Sequence, residues 1–324
     1  AAARAHGFKT NWGIYTPPKP NFLGVRELRD YSLAEIAGFI DWSPFFQAWE
    51  LAGRYPKILQ DEVVGVEATK LFADAQAMLK EIVQGKWLTA NAVFGLFPAN
   101  TVTVDGIPGD DIEIYTDETR NNVAMTWHNL RQQSKKPDNI PNFCLADYIA
   151  PKGVADYIGG FAVTAGIGID ARVAEFEKQN DDYSAILLKS LADRLAEAFA
   201  ELLHLRVRRE FWGYAADETL DNDAMINEKY RGIRPAPGYP ACPEHSEKAP
   251  LFALLDAPNK AGITLTDSYA MLPTAAVSGF YFSHPDAKYF ATGKIDRDQV
   301  ASYAERKGWD IEKAERWLAP VLSY

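Results

Sequence analysis

The residues best suited to hold a ligand lie in one short stretch, residues 234–245, which reads RPAPGYPACPEH. Its prolines fix their own φ near about −65° and push the preceding residues towards extended geometry, so the stretch suits neither a helix nor a central strand. Gly238 allows a close backbone approach, Tyr239 offers a flat ring with a hydroxyl, and Arg234 offers a fork of donors for a carboxylate or phosphate. The pattern fits either a pre-organised binding loop or a stiff surface loop that covers the core.

The spacing of the prolines also determines which backbone amides of this stretch can donate hydrogen bonds. Proline has no N–H group, so only the residues between the prolines are donors. Four of these residues are Ala236, Gly238, Tyr239 and Ala241. We expect their N–H groups to be free to face a ligand.

Acidic and aromatic side chains elsewhere could complete a site for a zwitterion. Asp41, Glu197 and Glu228 could hold an ammonium group or offset another positive centre. Tyr289 and Phe290 could cover a planar ring or a cation, as could the tyrosine of the proline stretch. Two alternatives stay open: Asp41 precedes a predicted helix and could simply cap it, and Glu197 could face solvent.

Several motifs that suggest other chemistry lack the context that such chemistry needs. Residues 166–171 fit G-x-G-x-x-A, but a dinucleotide site requires a parallel strand after the next helix, and a second, longer helix is predicted there instead. Cys242 and His245 form no larger cluster, and no G-x-S-x-G occurs. We therefore predict neither a catalytic constellation nor a metal site.

Composition narrows the classes of protein to consider. The chain has 324 residues, of which 47% are hydrophobic, enough for one large domain or two ordinary ones. The net charge of −10 disfavours nucleic acid and anionic membrane as partners, and no run of about 18 apolar residues occurs. Two cysteines without CxxC pairing fit a reducing cytoplasm. The first residues contain neither an initiator Met nor a signal-peptide core, and we interpret them as the cut end of a larger protein.

Hydrophobic periodicity predicts a mixture of helices and paired strands. An apolar stripe at helical spacing predicts a long helix over residues 182–212, with Ser184 as its cap. Further helices are predicted at 43–53, 67–80, 296–307 and 311–319, with a short acidic helix carrying Glu228. Strand-like runs are predicted at 92–97 and 111–115, as a hairpin around a turn at 98–110, and at 277–282 and 289–293 as a second hairpin. Residues 144–149 and 157–163 are predicted as strands, or as strand mixed with turn.

Several blocks of the sequence resemble the C-terminal activation domain of cobalamin-dependent methionine synthase. They are residues 40–46 (IDWSPFF), 61–67 (DEVVGVE), 95–100 (GLFPAN), 182–214, the proline stretch, and 283–290 (SHPDAKYF). The resemblance covers nearly the whole chain in order. It implies one α+β domain over residues 1–324, C-shaped, with a twisted antiparallel sheet and surrounding helices rather than a Rossmann fold. Residues 1–15 would be the end of a linker.

The resemblance also implies roles for individual residues. Arg234 would bind the carboxylate of S-adenosylmethionine, and the backbone of residues 236–239, which includes Ala236, Gly238 and Tyr239, would contact its adenine and ribose. Asp41 would hold the amino group, and Tyr289 and Phe290 would border the pocket. Glu197 and Glu228 match acidic positions near the sulfonium. Tyr239 would in addition approach the corrin ring.

The function implied by the resemblance is repair of a methyltransferase. S-adenosylmethionine and an electron from a flavodoxin-type donor would convert inactive cob(II)alamin into methylcobalamin, with cobalamin bound mainly by another domain of the same full-length chain. The fragment alone would not turn over. Two alternatives are a free-standing activator of a separate cobalamin enzyme and a docking module that has lost the ligand.

Overall fold

An antiparallel sheet of six strands forms the centre of the protein, in a computed structural model that describes residues 2–104 and 106–324. The strands, including a separate short pair formed by β6 and β7, are β1 (Gly24–Leu28), β2 (Thr89–Val104), β3 (Ile107–Tyr115), β4 (Val123–His128), β5 (Asp156–Ile167), β6 (Thr264–Leu265), β7 (Met271–Leu272) and β8 (Ala276–Tyr281). In the main sheet the order is β4-β3-β2-β5-β8, and β1 pairs with β2. Every pairing between these strands is antiparallel.

Helices cover both faces of this sheet. In the described residues they are α1 (Ala2–Ala5), α2 (Leu33–Ala37), α3 (Ser43–Ala48), α4 (Gly65–Gly85), α5 (Ile169–Lys178), α6 (Asp182–Arg206), α7 (Asn222–Ile226), α8 (Lys248–Leu255), α9 (Ala257–Ala261), α10 (Arg297–Lys307) and α11 (Ile311–Leu318). Short 3₁₀ turns occupy Lys57–Gln60, Leu145–Tyr148, His245–Glu247 and Ala319–Val321, and a π turn occupies Val207–Phe211. The mixture of helices with an antiparallel sheet confirms the predicted α+β class.

Strand β2 runs through the core and is buried on both faces. Phe94 and Leu96 belong to the core under α4 and α6, whereas Val93 and Phe97 belong to the core under α8 and α9. Side chains of a strand alternate between its faces, so a sheet that is covered on both sides needs the continuous apolar run seen here.

The predicted hairpin of residues 92–97 and 111–115 is confirmed, but its predicted turn at 98–110 was too long, because most of these residues extend β2 and β3. The chain reverses only between Val104 and Ile107, and Asp105 lies outside the described residues. Asn100 and Thr101 looked like turn residues, yet both are buried. Their side chains donate to carbonyl groups of residues 146–154, which satisfies them inside the sheet.

Helix α6 is the longest helix in the described residues and spans about 38 Å at about 1.5 Å per residue. Its apolar stripe packs on the sheet, as predicted. The cap is Asp181 rather than Ser184, since the Asp181 carboxylate accepts the Ser184 N–H at 3.0 Å. Beyond Arg206 the chain continues as a π turn that ends at Phe211, so the predicted extent was nearly right.

Three other local predictions were wrong. Residues 144–149 contain a 3₁₀ turn rather than a strand, because the Asp147 carboxylate accepts the Cys144 N–H at 2.9 Å and closes the turn. Residues 289–293 form no strand, and Thr292 instead donates its N–H to the Pro240 carbonyl. Helix α3 ends at Ala48, before residue 53.

The segment 166–171 joins β5 to α5, as a dinucleotide fingerprint would. The sheet around it is antiparallel, however, and a Cβ added to Gly166 would lie 2.9 Å from the Pro273 side chain. Its glycines therefore serve packing and the start of α5, where Gly168 has φ +92°. The interpretation against a Rossmann unit is confirmed.

The N-terminal segment is packed against the body of the protein. Arg4 pairs with Asp110 at 2.7 Å, and the Thr10 hydroxyl lies 2.9 Å from His284 Nε2. Phe8 and Tyr15 contact the His284 ring as well. The described residues include no helix that is both long and apolar enough to cross a membrane.

Gly279 on β8 gives a test of how closely the proline stretch packs on the sheet. A Cβ at Gly279 would lie 2.6 Å from the Pro235 carbonyl oxygen, which accepts the Phe280 N–H at 2.9 Å. Gly279→Ala should therefore lower the free energy of unfolding by about 1–3 kcal/mol in urea denaturation. The control is Gly13→Ala on the exposed N-terminal segment, which should change the free energy of unfolding by less than about 0.5 kcal/mol. Equal stability of the two variants would contradict the close approach.

Candidate functional site

The proline stretch is bonded to the free edge of β8. Ile233 pairs with Phe282, with hydrogen bonds in both directions, and Phe280 donates its N–H to the Pro235 carbonyl. Ile233 thus takes the position beside β8 that residues 289–293 were predicted to take. The segment that carries Arg234 is in this way held by the sheet.

Beyond Pro235 the stretch turns back on itself through its own hydrogen bonds. Gly238 donates its N–H to the Cys242 carbonyl at 2.7 Å, and Tyr239 donates to the Ala236 carbonyl at 3.2 Å. The expectation that these two amides are free for a ligand was therefore wrong. Gly238 has φ +95°, and a Cβ there would lie 2.2 Å from the His245 ring. Gly238 is thus required for the turn and does not line the cavity described next.

A cleft of about 510 Å³ lies between α6, the proline stretch and residues 289–291. This volume is typical of a site for a small organic ligand. The cleft brings together seven of the nine predicted site residues, namely Glu197, Glu228, Arg234, Ala236, Tyr239, Tyr289 and Phe290. The remaining wall is apolar and includes Phe161 and Val277.

Asp41 lines a second, smaller cavity of about 160 Å³ that adjoins the cleft. Glu197 and Arg234 line both cavities, and Glu201 and Arg194 line the smaller one. The Asp41 carboxylate accepts the Ser43 N–H at 3.0 Å, so it has the local capping role that was one of its two alternatives. Because Asp41 also lines this cavity, its other predicted role, holding an ammonium group, stays a prediction.

The Arg234 guanidinium lies at the junction of the two cavities and is already partly paired. Its Nη2 donates to Glu201 Oε2 at 2.6 Å, and its Nη1 contacts the Tyr230 hydroxyl at 3.0 Å and His204 Nδ1 at 3.2 Å. Arginine cannot accept a hydrogen bond, so His204 Nδ1 is the acceptor and its hydrogen sits on Nε2. Burial, with Arg208 and Arg234 nearby, holds the pKa of His204 well below its ordinary value, so the ring is neutral.

Two tyrosines link the side chain of Arg234 back to its own backbone. The Tyr230 and Tyr289 hydroxyls lie 3.3 Å apart, and the Tyr289 oxygen accepts the Arg234 N–H at 2.9 Å. Because the Tyr230 oxygen already accepts from Arg234, its hydrogen is available to Tyr289. The Tyr289 hydrogen then remains for an acceptor in the cleft.

Comparison with known proteins identifies the family. Residues 32–308 match the family model described as vitamin B12 dependent methionine synthase, activation domain. The chain belongs to this family. A solved structure of the MetH reactivation domain bound to AdoHcy is 56% identical in sequence, with a TM-score of 0.95, over 100% of this chain and 98% of that chain. The resemblance seen in the sequence is confirmed.

This activation domain carries two carboxyl groups in the cleft whose pKa values are raised. Burial is the main cause for Glu197, opposed by Arg194 and Arg234 and reinforced by Asp193 and Glu201. Burial is also the main cause for Glu228, opposed by Arg234. Both carboxylates are thus poorly compensated in the ligand-free domain, and a cation in the cleft would stabilise their charged forms.

The other reactive groups of the proline stretch do not form a nucleophilic site. Cys242 is buried, and burial raises the pKa of its thiol well above the ordinary value, so it is held as a thiol. Within residues 2–104 and 106–324, no group of three or more His, Cys, Asp or Glu side chains is placed to hold a metal ion. The site is suited to binding and orienting a ligand.

Two residues of this site escaped the sequence analysis. Glu201 follows Glu197 by one helical turn on α6, and that i, i+4 spacing was a signal that the two carboxylates share a face. Tyr230 gave no such signal, because it lies in irregular chain after α7 and meets Arg234 only through the fold. Glu228 also lies beyond the end of α7 rather than on it.

Glu197 predicts a pH dependence of stability. A carboxyl with a raised folded pKa binds protons at pH values where the unfolded chain has lost them, so it lowers the stability of the fold as pH rises through that window. Relative to the wild type, Glu197→Gln should therefore gain stability as the pH rises above about 4.5, the ordinary pKa of this carboxyl, by at most about 1.4 kcal/mol per pH unit. Urea denaturation at several pH values measures this difference.

The control for this experiment is Glu305→Gln on the exposed side of α10. Its stability relative to the wild type should be nearly independent of pH. A flat difference for Glu197→Gln as well would contradict the assigned pKa.

Proposed function

We propose that this domain binds S-adenosylmethionine in the cleft and presents its methyl group to cobalamin. The cobalamin would be held mainly by another domain of the same full-length chain. The product would be methylcobalamin formed from inactive cob(II)alamin, which reactivates the methionine synthase. The domain by itself would not turn over.

The observation that carries this proposal is the pairing of a cationic fork with unpaired carboxylates across two joined cavities. S-adenosylmethionine has a carboxylate, an ammonium and a sulfonium, so its amino-acid end needs both signs of charge within a few ångströms. Arg234 supplies the positive group, and Asp41, Glu197 and Glu228 supply the negative ones. The 56%-identical relative bound to AdoHcy supports this assignment, since AdoHcy is the same molecule without the methyl group.

The roles of the charged residues follow from their positions at the two cavities. Arg234 would bind the ligand carboxylate through the guanidinium edge that its protein partners leave unused. Asp41, in the smaller cavity, would hold the ammonium. Glu197 lines both cavities and Glu228 lines the larger one, so they would offset the sulfonium.

The adenosine end would lie along the proline stretch. Ala236 and Tyr239 line the cleft there, with Tyr289 and Phe290 on the facing side. Aromatic faces suit a purine ring, and the free hydroxyl hydrogen of Tyr289 suits a ribose oxygen. Gly238 would act indirectly, by allowing the turn that positions its neighbours.

The reaction needs one electron as well as the methyl group. Cobalamin, bound by its own domain and reduced by one electron from a flavodoxin-type donor, would supply the nucleophile that accepts the methyl group. The ligand sulfur would keep the electron pair of the S–CH₃ bond and become the neutral thioether of AdoHcy. The contribution of this domain is placement and electrostatics. Tyr239 is 58% exposed at the mouth of the cleft and would meet the corrin ring.

Calorimetric titration of the 324-residue chain tests ligand binding directly. We expect saturable heat with S-adenosylmethionine and none with NAD, because the strands of the described residues pair only antiparallel and a dinucleotide site needs a parallel sheet. Heat with NAD alone would overturn the proposal in favour of the 166–171 motif. Silence with both ligands would also overturn it for the isolated domain.

The raised pKa values of Glu197 and Glu228 predict that acid weakens binding of the charged ligand selectively. Because the pKa values of these groups are raised, lowering the pH from about 7.5 to about 5.5 increases their protonated fraction and weakens their attraction for a sulfonium. The affinity for S-adenosylmethionine should fall more than the affinity for AdoHcy, whose sulfur is neutral. Competition calorimetry at both pH values gives the ratio of the two affinities.

The variant that checks the cause is the double substitution Glu197→Gln and Glu228→Gln. It should bind S-adenosylmethionine about tenfold more weakly than the wild type at neutral pH, and its affinity ratio should no longer change with pH. A ratio that still falls on acidification in this variant would assign the effect to other groups.

A further inference from the structure

Glu201 lines the smaller cavity but not the cleft itself, and its carboxylate has an unusual environment. The Glu201 carboxylate is 11% exposed and lies 2.6 Å from Arg234 Nη2 through Oε2. Its other oxygen, Oε1, is buried and has no hydrogen-bond partner among the described residues. A buried carboxylate that depends on one cation is strongly destabilised when that cation moves away.

The hydrogen bonds of Arg234 show which part of the guanidinium is left for a ligand. Nη1 uses its hydrogens on Tyr230 and His204, and Nη2 uses one on Glu201. Among the described residues, Nε and the second hydrogen of Nη2 have no partner. Nε and Nη2 lie along the same side of the planar group, the side that binds a carboxylate with two parallel hydrogen bonds.

Arg234 has other carboxylates within its cleft, which explains why it needs a fixed partner such as Glu201. Glu197 and Glu228 line the same cleft, and Arg234 acts on the pKa of both. An arginine without a fixed partner would pair with one of them. That pairing would turn the fork away from a ligand carboxylate and neutralise a charge that a sulfonium needs.

We propose that Glu201 is a positioning residue, which holds Arg234 with its Nε–Nη2 side towards the cleft and keeps Glu197 and Glu228 unpaired. This inference rests on the proposed function and extends it to a residue that acts through Arg234. The ligand carboxylate joins Glu201 on Arg234 rather than replacing it, because replacement would leave Glu201 buried without its cation. The ligand carboxylate and the Glu201 carboxylate together carry more negative charge than Arg234 can neutralise. The ammonium of the ligand restores the balance, so the site selects a zwitterion.

The test is Glu201→Gln in the 324-residue chain, titrated with S-adenosylmethionine, AdoHcy and 5′-methylthioadenosine. The first two ligands carry the amino-acid end, and the third has the same nucleoside without it. We expect a loss of about tenfold or more in affinity for the first two ligands and a change of less than about twofold for 5′-methylthioadenosine. Glutamine is isosteric with glutamate, so the fold should persist, and a melting curve checks this.

Glu210→Gln is the matched control. Like Glu201, Glu210 pairs with an arginine, in this case Arg206, four residues before it in the chain. Glu210 lies in the π turn that continues α6. That pair does not line the cleft, so all three affinities should stay at their wild-type values. If Glu201→Gln fails to fold, Glu201→Asp keeps the charge but shifts Arg234, and the same selective loss is expected.

The outcomes separate this inference from the proposed function. Absence of S-adenosylmethionine binding by the wild type contradicts the proposed function itself. Binding by the wild type, with equal losses for all three ligands in the Glu201 variant, means that Glu201 only supports the fold, and the inference is overturned. Unchanged binding of S-adenosylmethionine in that variant overturns it as well.

Discussion

The hydrogen bonds between the proline stretch and the edge of β8 are the constraint on which the rest of the site depends. Ile233 pairs with Phe282, and Pro235 offers only its carbonyl, which accepts from Phe280. Proline suits such an edge because its missing N–H is not needed there. Gly279 provides the space for this approach. The sheet therefore fixes the backbone on either side of Arg234, and its side chain reaches the cavity junction from a rigid base.

The elements that could be predicted from the sequence are those whose signal is local and repeated. Helix α6 and the α4 region carry apolar stripes at helical spacing, and β2 and β8 carry continuous apolar runs. Which segment pairs with the edge of a strand cannot be read from a local pattern. Residues 289–293 have strand-like composition, yet Ile233 occupies the edge of β8 because its two backbone hydrogen bonds to Phe282 form there. That choice depends on contacts far apart in the sequence.

The candidate site, too, could be predicted from the sequence only in part. The types of residue suited to bind a zwitterion were recognisable, and seven of the nine gather in one cleft. Which of their hydrogen-bonding groups remain free was not recognisable, because that depends on the folded partners. The Gly238 and Tyr239 amides are used in the turn, and one side of Arg234 is used by Glu201. The sequence shows which chemical groups a side chain carries. Which of its hydrogen-bond donors remain available to a ligand depends on the partners that it finds in the fold.

Electrostatics connects these features with the release of product. The joined cavities hold more carboxylates than arginines, in a chain whose net charge is already −10. Burial raises the pKa of Glu197 and Glu228, so protein groups compensate their negative charge poorly, and a ligand with two positive groups would compensate it better. In the proposed reaction, methyl transfer would remove one of these positive groups, because the sulfonium would become a neutral thioether. Under the proposed function, the same carboxylates that favour the methyl donor would therefore favour departure of the spent ligand, with no change of conformation required.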